Sequence, residues 1–205
     1  MVYADSYRAE DLDDAPLAIK ILVAGGFGAG KTTMVRAVTE IKPLHTEEVL
    51  SEPGSRIDVI GGIEGKATTT VALDFGRITI QDSQDQDDIV LYLFGTPGQE
   101  RFWFMWDELA FGAVGVVVLA DTRRLADCFA SVDFFECRGV PFVVAVNCFD
   151  GAPRVPAEAV RQALDLNPEV PVLSCDARQR SSARDVLVVL VEHARRLLGG
   201  EDNRR

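Results

Sequence analysis

The chain has 205 residues, is 47% hydrophobic and 26% charged, and carries a formal net charge of −11. That is one domain's length, enough to bury about 70% of the unfolded surface, and so acidic a balance argues against a nucleic-acid backbone or an anionic lipid surface as partner. Its four cysteines form no C-x-x-C pair, no apolar run reaches the length of about 18 residues needed for a membrane span, and neither terminus carries a lipidation signal; the expectation is a cytoplasmic protein with reduced thiols, brought to membranes only by partners.

In chain order, residues 1–16, with the run EDLDDAP, read as a loose acidic arm. LAIKILVAG (17–25) is a β-branched strand ending in glycine. GGFGAGKT follows, and Gly25, Gly30, Lys31 and Thr32 satisfy G-x-x-x-x-G-K-S/T between that strand and a helix predicted over 31–41. Such a loop turns consecutive backbone N–H groups inward, here from Gly25, Phe27, Gly28, Ala29 and Gly30, and the helix start adds its positive end. Lys31 is expected on the β- and γ-phosphates and the Thr32 hydroxyl on Mg²⁺, with Thr33 beside it in the first helical turn.

Residues 42–66 show little periodicity apart from RIDVI, a candidate short strand, and a loop of that length inside a compact domain is usually functional. TTTVALDFGRITI and DIVLYLF read as strands joined by the acidic turn QDSQDQDD. QERFWFMWDELAF reads as a helix whose aromatic run, Phe102 to Trp106, cannot all face inward, so part of it offers a surface to an effector. A buried strand (GAVGVVVLAD), a helix (TRRLADCFASVDFFECR), another buried strand (PFVVAVN), a helix (PAEAVRQALDL), a short strand (VPVLSCD) and a closing helix (SARDVLVVLVEHARRLL) follow. Apolar strands alternating with helices predict an α/β fold, a mostly parallel sheet covered on both faces. His45 and His193 are expected to be surface or neutral residues with no ligand role.

A phosphate loop alone does not choose a base. VVAVNCFD ends a buried strand with Asn147 and Asp150 at N-x-x-D spacing; a carboxylate there accepts hydrogen bonds from N1–H and the 2-amino group of guanine, a donor pattern adenine lacks. VLSCDA carries Ser174-Cys175-Asp176, similar to an S-A-K loop, in which the Cys175 N–H would meet guanine O6 and Ser174 would brace the turn.

With these motifs in order, the chain after residue 16 resembles the Ras-like small GTPases, closest to the bacterial group of actinobacterial conservon GTPases and MglA-type polarity GTPases. The resemblance implies a P-loop NTPase of the Ras-like G-domain type over residues 17–200, with a six-stranded, mostly parallel sheet, one antiparallel edge strand, and a tail at 201–205. By the same resemblance, TVALDF makes Thr70 the switch threonine closing on Mg²⁺ and the γ-phosphate. TPGQERF makes Gly98 a γ-phosphate N–H donor and Gln99 the residue orienting the attacking water, so that Gln99, Lys31 and Thr70 are the catalytic set. Roadblock/LC7-type regulators and other conservon components are the implied partners.

Three positions depart from the pattern. Gly95 stands where an aspartate holds a metal-bound water, a loss that typically costs about 10–100-fold in metal affinity or activity; Asp74 is the nominated replacement. Phe27 replaces a glycine and crowds the approach of an activator's arginine, which predicts slow hydrolysis with little response to such activators. Cys148 replaces the lysine whose stem covers the base, which predicts weaker nucleotide affinity. The expected function is a slow GTPase switch binding Mg-GTP and GDP; a guanine-nucleotide module without turnover, and a P-loop ATPase or small kinase, are the alternatives.

Overall fold

A computed structural model describes residues 16–42, 44–51, 68–81, 88–98 and 100–202. In it the chain runs β1 (Leu17–Gly25), α1 (Lys31–Val38), β2 (Leu44–Ser51), β3 (Thr68–Gln81), β4 (Asp88–Gly95), α2 (Trp106–Ala110), β5 (Ala113–Ala120), α3 (Phe129–Cys137), β6 (Phe142–Asn147), α4 (Ala157–Ala163), β7 (Val172–Cys175) and α5 (Arg180–Asp202). Two 3₁₀ turns, Glu100–Met105 and Leu125–Cys128, lead into α2 and α3.

The central strands read as unbroken apolar runs because both of their faces are covered. Ile21 and Val23 of β1 turn to one side and pack, with Leu91, Val117 and Leu119, against Met34 and Val35 of α1 and Leu187 and Leu190 of α5. Leu22 and Ala24 turn to the other, where Val116, Val118 and Val144 meet Val132 and Phe135 of α3 and Val160 of α4. The α/β architecture with helices on both faces is as expected.

The sheet order is β2-β3-β4-β1-β5-β6-β7. β1 runs parallel to β4 and β5, and β5, β6 and β7 continue in the same sense; β3 is antiparallel to both neighbours, β2 and β4. The expectation of six strands with an antiparallel strand at the edge is therefore corrected: the described residues form seven, and the reversed strand lies one position in. The added strand, β2, pairs from Leu44↔Phe75 to Ser51↔Thr68. LHTEEVLS lacks clean apolar alternation because an edge strand is held by its backbone ladder.

Other expectations shift locally. Residues 100–105 are 3₁₀ rather than α, Arg123 and Arg124 precede α3 in a turn, and α5 runs to Asp202. His193 is not at the surface: it is 4% exposed, and burial, then Arg196, lower its pKa. The acidic arm, RIDVI and most of QDSQDQDD lie outside the described residues.

β1, β4, β5, β6 and β7 all point the same way, so the loops after them converge on one rim. β1 lies between β4 and β5, with its following helix on one face and that after β5 on the other. That is the crevice where open α/β sheets take their ligands.

Candidate functional site

The first loop on that rim is residues 25–30. Gly25, Gly28 and Gly30 all have positive φ, 129°, 75° and 106°. At Gly30 the requirement is doubled, since a Cβ there would stand 2.5 Å from Asn147 Nδ2. The loop closes on itself through Ala29 N–H to Gly26 O at 3.2 Å. Gly30 caps α1 without any side-chain acceptor for the first-turn N–H groups, leaving these donors for an anion. Lys31, 9% exposed, donates to Gly25 O (2.9 Å) and Gly26 O (2.7 Å). Burial lowers its pKa to about 8, with Asp74 pulling the other way.

The loop after β4 lies directly over this cradle. Thr96 N–H extends the ladder to Val23 O (2.9 Å), and a Cβ at Gly98 would stand 2.5 Å from Lys31 Nζ and 3.0 Å from Phe27 N. A side chain at Gly98 would crowd the Lys31 ammonium and the Phe27 amide. Trp106 holds the segment from behind by donating Nε1–H to Pro97 O at 3.2 Å.

Asp74 occupies the space that Gly95 leaves. The two residues face each other across β3 and β4, a Cβ at Gly95 would meet Asp74 Cβ at 3.1 Å, and the Thr32 hydroxyl donates to Asp74 Oδ2 at 2.5 Å. A hydroxyl and a carboxylate so placed are two hard oxygen donors of the kind Mg²⁺ prefers. One residue beyond Gly95, the Thr96 hydroxyl is buried without a hydrogen-bond partner among the described residues. These residues fit a magnesium site. Among the described residues no three or more His, Cys, Asp or Glu side chains could cage a metal by themselves.

Two other expected residues stand differently. Thr70 is paired with Val49 in β3. At about 3.3 Å per residue this puts its backbone roughly 13 Å up the strand from Asp74, so this conformation does not bring it to Thr32. Gln99 lies outside the described residues.

Across the rim, Asn147 joins the phosphate loop to the loop after β7. Its Nδ2 donates to Ala29 O (2.9 Å) and its Oδ1 accepts from Ala177 N–H (3.0 Å). A cavity of about 180 Å³ opens beside it, lined by Gly28, Gly30, Asn147, Asp150, Ala177 and Arg178. Thr33, Cys148 and Phe149 complete its wall. From the loop after β7 that cavity is lined by Ala177 and Arg178, where the expectation was Ser174-Cys175-Asp176. Cys175 ends β7 opposite Asn147, is 1% exposed, and accepts from Cys148 N–H at 2.7 Å, while burial raises its thiol pKa to about 11. Ser174 and Asp176 line an adjoining cavity of about 600 Å³, which shares Asn147, Asp150 and Arg178 with the smaller one.

Three arginines at the site were not expected. Arg178 forks onto both oxygens of Asp176 and reaches Asp150, holding the Asp176 pKa down at about 2. Arg123 pairs with Asp121 and lies 3.9 Å over the Phe149 ring, bracing the loop that carries Asp150. Arg124 donates to Phe27 O on the outer wall of the phosphate loop, where the Phe27 ring is 62% exposed. Only Arg178 had a legible signal: Asp-Ala-Arg is a closer analogue of a small polar residue, alanine and cation than Ser-Cys-Asp.

A protein family described as conserved hypothetical ATP binding protein matches residues 23–196. The chain is also 28% identical over 134 residues to Uncharacterized protein MJ1339 of Methanocaldococcus jannaschii, an overlap covering 64% of this chain and 71% of that one.

Proposed function

The chain belongs to the family of conserved hypothetical ATP binding proteins, and from that premise and the site's geometry we propose that it binds a guanine nucleoside triphosphate with Mg²⁺ and hydrolyses it slowly, as a small switch-type GTPase. The observation that carries the base assignment is Asn147, which ties Ala29 of the phosphate loop to Ala177 while Asp150 lines the same cavity as Gly28 and Gly30. A base in that cavity presents its edge to a carboxylate, and guanine supplies the two donors that a carboxylate accepts.

In this reading the loop amides and the α1 N-terminus hold the β- and γ-phosphates, and Lys31 turns part of its bonding from Gly25 O and Gly26 O to phosphate oxygens. Gly98 N–H reports the presence of the γ-phosphate, and Gln99 orients the attacking water. Thr32 and Asp74 would hold Mg²⁺, which when bound neutralises charge developing on the phosphate oxygens. Nucleotide state passes outward through the Pro97–Gly98 segment, and Phe104 in the following 3₁₀ turn, 66% exposed, offers apolar surface to an effector.

The family's description favours a second reading, an adenine nucleotide in the same phosphate loop. Asp150→Ala separates the two. The guanine reading expects that variant to lose its preference for GTP over ATP and over xanthosine triphosphate, measured by titration calorimetry. An unaltered preference would contradict the assignment of Asp150.

A further inference from the structure

Asp150 is the residue on which base choice rests in the guanine reading, and its side chain is 88% exposed. A carboxylate that exposed turns freely, and a freely turning carboxylate selects poorly. It can accept from guanine, but it can also swing away from a base that offers acceptors instead of donors. Selectivity by exclusion needs a carboxylate that cannot leave.

The structure supplies the restraint. Arg178 Nη1 donates to Asp150 Oδ2 at 2.9 Å, while Nε and Nη2 grip Asp176 Oδ1 and Oδ2 at 2.9 and 3.0 Å. Asp176 is fixed in turn: it accepts from Arg178 N–H (3.0 Å) and Gln179 Nε2 (3.1 Å), and its own N–H donates to Ser182 Oγ in α5 at 3.0 Å. A planar guanidinium forked onto one anchored carboxylate has its remaining edge aimed by that anchor. The chain of bonds therefore runs from the first turn of α5 to the carboxylate on the loop after β6. Arg178 takes one acceptor position on Oδ2, and a carboxylate has about four in all, so acceptors remain for guanine's N1–H and 2-amino donors.

We propose that Arg178 is the positioning residue for Asp150, and that this bridge sets the selectivity for a guanine base against adenine and xanthine; the proposal rests on the guanine reading of the cavity. Held in place, Asp150 sets lone pairs against N1 of adenine or O2 of xanthine and penalises both. Released, it tolerates them.

The test is calorimetry with GTP, ATP and xanthosine triphosphate, each with Mg²⁺, on wild type, Arg178→Ala, Arg178→Lys, Asp150→Ala and the double variant. Both residues are surface-exposed, so the variants are expected to fold, and circular dichroism checks this. Arg178→Ala should lower the GTP-to-ATP and GTP-to-xanthosine affinity ratios about tenfold, the scale of one charge-assisted bond. Arg178→Lys should restore part of that, because an ammonium meets one carboxylate but not both in a fork. The double variant should match Asp150→Ala alone, since Arg178 acts through Asp150. Unchanged ratios in Arg178→Ala alongside lost preference in Asp150→Ala would overturn the positioning role and leave the guanine reading standing. A double variant less selective than Asp150→Ala would also overturn it, by making Arg178 an independent reader. Unchanged ratios in Asp150→Ala itself would remove the guanine reading, and the proposal with it.

Discussion

Lys31 combines a buried ammonium with a task that needs its charge. Its pKa of about 8 lies below the ordinary 10.5 because burial costs the charged form. Below about pH 8 the lysine is charged both folded and unfolded. Between about 8 and 10.5 the folded state releases the proton that the unfolded state keeps, so this group's contribution to stability rises with pH across that window. Phosphate binding has the opposite dependence, because it needs the ammonium. Nucleotide affinity should therefore fall as pH is raised above about 8, with uptake of up to about one proton per nucleotide bound at pH 9 and almost none at pH 7. Calorimetry in buffers of different ionisation enthalpy measures that proton. Binding at pH 9 without proton uptake would mean that Lys31 is already charged in the free protein.

In the proposed metal site Asp74 would stand in, from another strand, for the carboxylate missing at Gly95. Gly95 lacks a side chain, and Asp74, its partner across the ladder, fills that space and reaches Thr32. Asp74→Ala should weaken Mg²⁺ affinity in the nucleotide complex about 10–100-fold, read from the Mg²⁺ dependence of nucleotide release. Equal Mg²⁺ affinity in variant and wild type would assign the metal to other oxygens. In the sequence Asp74 could only be nominated from its place four residues past Thr70; that it shares a rung with Gly95 is set by the pairing of β3 with β4.

At the scale of elements, legibility followed how locally each feature is determined. The phosphate loop was readable because Gly25, Gly30, Lys31 and Thr32 dictate their own backbone. That Ala177 rather than Cys175 offers its N–H to Asn147 follows from the register of β7 against β6, Cys175 against Asn147, which no local pattern records. β2 was missed because an edge strand needs no apolar face. In the 100–110 stretch, packing rather than period decides: Trp106 is 2% exposed, stands edge-on to Phe134 at 5.2 Å and stacks on Phe135 at 6.0 Å. Its indole also holds Pro97, next to Gly98. Trp106→Phe keeps a ring in the core but removes that donor, so it should cost about 1 kcal/mol in denaturant unfolding beyond the loss of ring size. Nucleotide affinity should fall with it, because the Gly98 segment loses its tether. Unchanged affinity would confine Trp106 to the core.

At the scale of the molecule, the site draws on the described loops after β1, β4, β5, β6 and β7: residues 25–31, 95–98, 121–128, 147–150 and 176–178. No single stretch reads a whole nucleotide. The phosphate loop is common to many chemistries, and in the guanine reading the base is chosen some 120 residues later in sequence, by Asn147 and Asp150. Among the described residues no helix is long and apolar enough to cross a membrane.

The most direct measurement is competition between GTP and ATP for the purified wild-type protein with Mg²⁺, read as two dissociation constants. The account predicts GTP bound more tightly by more than about tenfold, as expected of a site that pairs with groups adenine lacks. ATP bound as tightly as GTP, or more so, would contradict it.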